Sequence, residues 1–145
     1  RINAARAFVQ SEGYTNDKDA IIGYCFGGTM ALDYARAGSD VDGVVSFHGG
    51  LSTKRTISED SPLTASIQVH HGAADPHVPP EQVEAFTAEM DAANADWQLN
   101  IYADAVHAFT EKEAGNDSST GVAYNEKADM RSWAGTLAFL DEVLK

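Results

Sequence analysis

The chain has 145 residues, 43% of them hydrophobic, and a formal net charge of −12. That charge excludes nucleic acid as an electrostatic partner, because phosphate binding needs clustered Lys and Arg. No apolar run reaches the roughly 18 residues of a membrane span and no basic, cleavable leader is present, so residues 1–145 read as one globular domain without a membrane contact.

In chain order, Ile2 to about Glu12 reads as a helix stopped by Gly13, and Ala20 to Tyr24 as a strand. Gly23-Tyr24-Cys25-Phe26-Gly27-Gly28 then places the single cysteine at the apex of a GxCxG turn. In the GxSxG turn of α/β-hydrolases the nucleophile sits on a sharp strand-to-helix bend, with small neighbours because the backbone approaches itself closely. Here a thiol stands in for the hydroxyl. The turn geometry points the Phe26 N–H at a developing oxyanion, and the positive end of the following helix favours thiolate and oxyanion alike. A lone cysteine forms no intramolecular disulfide, which fits a reducing, cytoplasmic compartment.

The helix behind the turn is expected over Gly28 to Ala37, ended by Gly38, and the next strand over Asp42 to Phe47. His48 follows that strand. It lies at the same carboxyl edge as Cys25 and either lines the pocket or caps a turn. Leu51 to Pro62 reads as a loop, and Ile67-Gln68-Val69-His70-His71-Gly72 as a strand running into Ala73-Ala74-Asp75-Pro76. His70 and His71 are adjacent on a strand, so they face opposite ways and cannot jointly hold one metal. No zinc spacing occurs, and neither a metal nor an organic cofactor is implied. Pro80 opens a helix with Val83, Phe86, Met90 and Ala93 on one face. Trp97 to Tyr102 is a strand, and His107 follows in the next loop, with Phe109 beside it. Residues 115–121 form an exposed loop. The last helix, from about Glu126, carries Met130, Trp133, Leu137, Leu140 and Leu144 at helical spacing, a stripe expected to face the core.

Strands separated by helices predict an α/β domain with a mostly parallel sheet. The order nucleophile, acid, histidine along the chain is the one α/β-hydrolases use. Cys25 is the expected nucleophile, His107 the base that titrates near neutral pH, and Asp75 the acid that fixes its tautomer. Asp104 competes with Asp75 for that last role.

The segments GYCFGG at 23–28, FHGGL at 47–51, HGAADPHVP at 71–79, YADAVHAFT at 102–110 and AYNEKAD at 123–129 together resemble the dienelactone hydrolase family. Its members are thiol-dependent α/β-hydrolases that open lactones and cleave small esters. The resemblance implies a three-layer α/β sandwich, a Cys25–His107–Asp75 triad with Asp75 preferred over Asp104, and a small ester or lactone as substrate; Tyr24 and Phe109, beside the nucleophile and the base in sequence, join His48 as candidate pocket-lining residues.

It also implies parts this chain does not carry: N-terminal strands, a second oxyanion N–H, and a glutamate and arginine from that region. A second polypeptide segment completing the sheet is therefore expected, the chain resembling a carboxyl-terminal portion. One departure concerns substrate. Where the family places an arginine four residues after the histidine, this chain has Glu111, with Lys112 beside it; an anionic substrate is disfavoured. Two other classes stay open, a non-catalytic interaction module and a redox-sensing thiol protein.

Overall fold

Each apolar run ends at a glycine, a proline or a short polar turn, and the runs become four strands: β1 Ala20–Tyr24, β2 Gly43–Phe47, β3 Ser66–Gly72 and β4 Trp97–Tyr102. The computed structural model describes residues 1–145 except Asn16, Thr56 and Glu59. All three pairings are parallel, in the order β1-β2-β3-β4. Helices α1 (Ile2–Ser11), α2 (Phe26–Arg36), α3 (Pro80–Ala92) and α4 (Glu126–Val143) supply the connections and covers. The helix after the cysteine starts at Phe26, two residues before the expected Gly28, because Cys25 itself occupies the N-cap.

Alternation along the strands builds two cores. Val44, Ile67 and Val69 face α2 and α3, where Leu32, Phe86 and Met90 are buried. Val45 and Phe47 face α4 through Ala128 and Phe139. This is the expected α/β sandwich, with helices on both sides of a parallel sheet.

His70 and His71 point to opposite faces as the pleat requires: His70 meets Thr136 of α4, while His71 shares a pocket wall with Val83 of α3. On the α4 side a stack of rings crosses the sheet. Tyr24 lies on Phe47 with centroids 4.5 Å apart, Phe47 on His70 at 4.8 Å, and His70 on Tyr102 at 5.8 Å.

Of the apolar stripe of the last helix, Leu140 packs on the core and Leu144 is half-buried, but Met130, Trp133 and Leu137 do not face the core. Met130 is 67% exposed, Trp133 45% and Leu137 52%, while the buried face carries Ala128, Ser132, Thr136 and Phe139. The reason is the polar layer of β3 beneath the helix. Thr136 Oγ1 is 3.0 Å from His70 Nε2, and the Gly135 carbonyl accepts from Gln68 Nε2 at 3.4 Å. Small and hydroxylated residues satisfy that layer, and Met130, Trp133 and Leu137 are turned outward. Strand β1 has a single neighbour among the described strands, and Ile22 and Tyr24 on it are 36% and 40% exposed.

The tautomer of His70 follows from its partners. Gln68 Nε2 donates to Gln98 Oε1 and to the Gly135 carbonyl, so Gln68 Oε1, 3.0 Å from His70 Nε2, can only accept. Nε2 therefore carries the proton and Nδ1 accepts from the Tyr102 hydroxyl at 2.7 Å, a phenol whose own pKa burial raises to about 12. Burial lowers His70 to about 4, and burial aided by the charge of His107 lowers His48 to about 4.

A depressed histidine protonates more readily in the unfolded chain, so its contribution is complete above about pH 6.5 and is lost as pH falls toward 4. Each such shift corresponds to roughly 3 kcal/mol. Urea titrations should show stability falling steeply between pH 6.5 and 4, with the slope reduced by about one proton in His70→Gln. A flat profile from pH 7 to 5 would contradict neutral burial of these rings.

Candidate active site

The cysteine turn is held by backbone contacts that leave room for little else. Cys25 has φ 53° and ψ −122°, a region unfavourable for residues with a Cβ and typical of functional turns. Its N–H donates to the Phe47 carbonyl of β2 at 3.0 Å, and its carbonyl accepts from Gly28 and Thr29. A Cβ at Gly23 would lie 2.2 Å from the Gly27 carbonyl oxygen, so the strand and the helix can touch only through glycine. Phe26, at the first helical position, presents an N–H with no intrahelical acceptor beside the exposed Cys25 thiol.

Two other strands deliver the partners. His107 Nε2 is 3.3 Å from Cys25 Sγ, and His107 Nδ1 is 2.9 Å from Asp75 Oδ2. Asp75 follows β3; its other oxygen, Oδ1, accepts from the His77 N–H at 2.8 Å. The backbone of His107 is clamped on both sides, its N–H donating to the Gly121 carbonyl and its carbonyl accepting from the Ala123 N–H. Gly121 has φ +80°, and a Cβ there would sit 2.7 Å from Pro76, so the loop after the histidine is seated on the loop that holds the acid.

The electrostatics fit that geometry. Hydrogen bonding to Asp75, outweighing burial and helped by Cys25, raises His107 to about 9. Burial works to raise Asp75, but the hydrogen bonds from His107 and the His77 N–H overcome it and the carboxyl is held below its usual value. Asp75 is thus an anion and His107 a cation at neutral pH. The arrangement can store the thiol proton on Nε2 and return it.

The other expected site residues separate. Asp104 lies in a turn with φ 59°, and the Nδ1 of His107 is engaged by Asp75, so Asp104 does not orient the ring. Tyr24 lines an open groove with Thr110, Glu111, Asp129 and Trp133. Phe109 does not line that groove: it is fully buried, with its ring 5.2 Å from His48 and 5.5 Å from Tyr102. His48 is also buried, at 1% exposure, because the chain turns inward after β2 with φ 40° there. Its Nε2 is 2.8 Å from Thr110 Oγ1, and its ring meets His107 edge-on at 5.2 Å.

His77, not singled out from the sequence, packs its ring edge-on against His107 from another side at 5.0 Å. The only signal for it is the Asp-Pro-His turn, in which an aspartate side chain accepts from the N–H two residues on. Among the described residues no group of three His, Cys, Asp or Glu is placed to hold a metal, and no helix is long and apolar enough to cross a membrane.

A parallel sheet, a left-handed cysteine at the strand-to-helix bend, and an acid and a histidine delivered by later strands define an α/β-hydrolase fold. Residues 1–144 match the model of the dienelactone hydrolase family, and the chain belongs to that family. It is 43% identical over 121 residues to an uncharacterised protein of Caenorhabditis elegans, covering 83% of this chain and 77% of that one. A Bradyrhizobium protein named as a probable 2-oxo-3-(5-oxofuran-2-ylidene)propanoate lactonase is 33% identical, covering 94% of this chain and 55% of its own length. Among solved structures, one named m3DLH superposes with a TM-score of 0.80 and 36% identity, covering 90% of this chain and 54% of that chain. The chain therefore spans about half the length of the bacterial relatives it matches.

Proposed function

We propose that this chain carries the thiol acyl-transfer centre of a hydrolase acting on small carboxylic esters or lactones. The observation that carries the reading is the continuous line of contacts from Cys25 Sγ through His107 to Asp75, at 3.3 and 2.9 Å. With the thiol proton held on His107 Nε2, the Cys25 thiolate attacks the ester carbonyl to form a C–S bond, with the oxygen taking negative charge at the Phe26 N–H. Collapse breaks the C–O bond. The leaving alkoxide takes the proton from His107, and the neutral imidazole then draws a proton from water as it attacks the thioester; collapse breaks the C–S bond, releasing the acid and returning Cys25 as the thiolate beside protonated His107. Asp75 holds Nδ1 throughout and stabilises the imidazolium.

The test is intact mass after brief exposure to p-nitrophenyl acetate, followed alongside nitrophenol release, with Cys25→Ala as control. An acetyl adduct confined to Cys25 that decays as product accumulates is the expected result. No adduct on the folded protein together with no nitrophenol release above that of Cys25→Ala would overturn the reading in favour of a non-catalytic module. A redox-sensing thiol would instead form sulfenic acid under mild peroxide without ever acylating.

A further inference from the structure

On the α3 side of the sheet, behind the turn that presents Asp75, lies a hollow of about 270 Å³. It sits at the β4 end of the sheet, the far end from β1. Its walls are aliphatic, with Val78 and Pro80 leading into α3, Val83 on that helix and Ile101 on β4. One polar ring interrupts them. His71 of β3 is only 5% exposed, yet its Nδ1 is sealed from solvent with no hydrogen-bond partner among the described residues, which leaves Nε2 to the hollow. The adjacent His70, buried on the other face, is bonded by Tyr102, Gln68 and Thr136. A buried imidazole without partners is costly, and a native structure rarely keeps one without a use.

We propose that this hollow is a binding site for a small neutral alcohol or phenol, whose hydroxyl bonds His71 Nε2 while its hydrocarbon part fills the aliphatic walls, and that occupancy is felt by the acid of the triad. A hydroxyl both donates and accepts, so it satisfies Nε2 in either tautomer of a neutral imidazole. Burial holds His71 below the ordinary histidine value, against the pull of Asp75, so the ring offers no cation to an anionic ligand. Asp75 is an anion and the exposed Glu84 stands on the rim, and both repel a carboxylate. An ammonium is not called for either, since Asp75 already holds its cation in His107.

The link to the triad is the turn itself. Asp75 and Val78 both belong to the wall, and the bond that closes their turn, from the Val78 N–H to the Asp75 carbonyl, is long at 3.4 Å. A ligand wedged against both braces the turn that carries the acid. His71 and Asp75 also act on each other directly, each favouring the charged form of the other, so a hydrogen bond made at His71 alters the field at Asp75.

The test needs no turnover, because the chain has five histidines whose ring nitrogens can be followed one by one in 15N correlation spectra. The probes are 4-ethylphenol, 4-ethylbenzoate and 4-ethylbenzylamine. 4-Ethylphenol should bind saturably, move the Nε2 signal of His71, show nuclear Overhauser contacts to the Val83 and Ile101 methyls, and bind about tenfold more tightly than either charged probe. His71→Phe, which keeps a ring and removes both nitrogens, should weaken it about three- to tenfold, while Cys25→Ala leaves it unchanged. At saturation the His107 Nδ1 proton that bonds Asp75 should shift as well. Equal affinity for the three probes overturns the site, and so do contacts confined to residues outside the hollow. Saturation at His71 with the His107 proton unmoved overturns the link to the triad. A failure of the acylation test leaves the site standing, since binding here requires no reaction at Cys25.

Discussion

Asp75→Asn should lower ester turnover by about 10³- to 10⁴-fold while leaving the fold intact, the scale expected when the acid of such a triad is neutralised. The structure says why an isosteric change is so damaging. Asp75 Oδ1 accepts from the His77 N–H at 2.8 Å, so the asparagine oxygen is held there and its NH₂ must face His107. An NH₂ group cannot accept. Nδ1 of His107 would then have to accept, and the ring proton would move to Nε2, where it faces Cys25 and blocks the base.

The charge is lost as well. The hydrogen bond to Asp75 is the first cause of the rise of His107 to about 9, and without it the ring returns toward the ordinary histidine range. The check is a pH series of single turnovers. In the native protein the deacylation rate should climb with pH to a plateau above neutrality, with His107 still held up by Asp75, whereas in Asp75→Asn it should level off at lower pH and at a much lower plateau. A variant within threefold of the native rate, with unchanged circular dichroism, would mean that Asp75 is only a turn residue.

Gly23→Ala is expected to be the most damaging single substitution for stability, at about 3 kcal/mol or more. Overpacking is usually relieved by a side chain that moves aside. Here the added methyl would sit 2.2 Å from the Gly27 carbonyl oxygen, 2.3 Å from its carbon and 2.6 Å from the Gly28 nitrogen, all of them backbone at the start of α2. Relief requires pulling α2 off β1, and with it Ala31, Leu32 and Ala35 from the larger core. Denaturant titration of Gly23→Ala beside Gly27→Ala gives an internal control, because a Cβ at Gly27 meets nothing within 4 Å. Equal midpoints for the two variants would show that the strand-to-helix approach is looser than described.

The β1–turn–α2 unit is legible in the sequence because its requirements are local: an apolar run, a cysteine flanked by glycines, and a helix that must start at once. Asp75 and His107 are legible because each follows a strand in an order that one fold class uses. The stripe of Met130, Trp133 and Leu137 misleads, since periodicity reports that a helix has an apolar face and says nothing of where that face points. What decides the rotation of α4 is the polar pair Gln68 and His70 on β3, whose partners are Thr136 and the Gly135 carbonyl. The sequence leaves His48 open between a pocket wall and a turn and offers Phe109 as a pocket-lining ring; both rings are buried, His48 at a bend with φ 40° and Phe109 directly after Ala108 at φ 56°, and neither backbone angle is readable from composition or periodicity.

Cys25 and His107 are separated by 82 residues along the chain and Asp75 from His107 by 32, with all three hung on different strands of a parallel sheet. No hairpin or helical turn brings any two of them together. Contacts of that span form late, after the loop-closure entropy of every intervening βα unit has been overcome. A newly made or partly melted chain in which β4 has not yet docked therefore displays Cys25 on a finished turn with no imidazole beside it. In that interval the thiol has no base in reach, and the acyl transfer proposed for the site cannot begin until the last strand has docked.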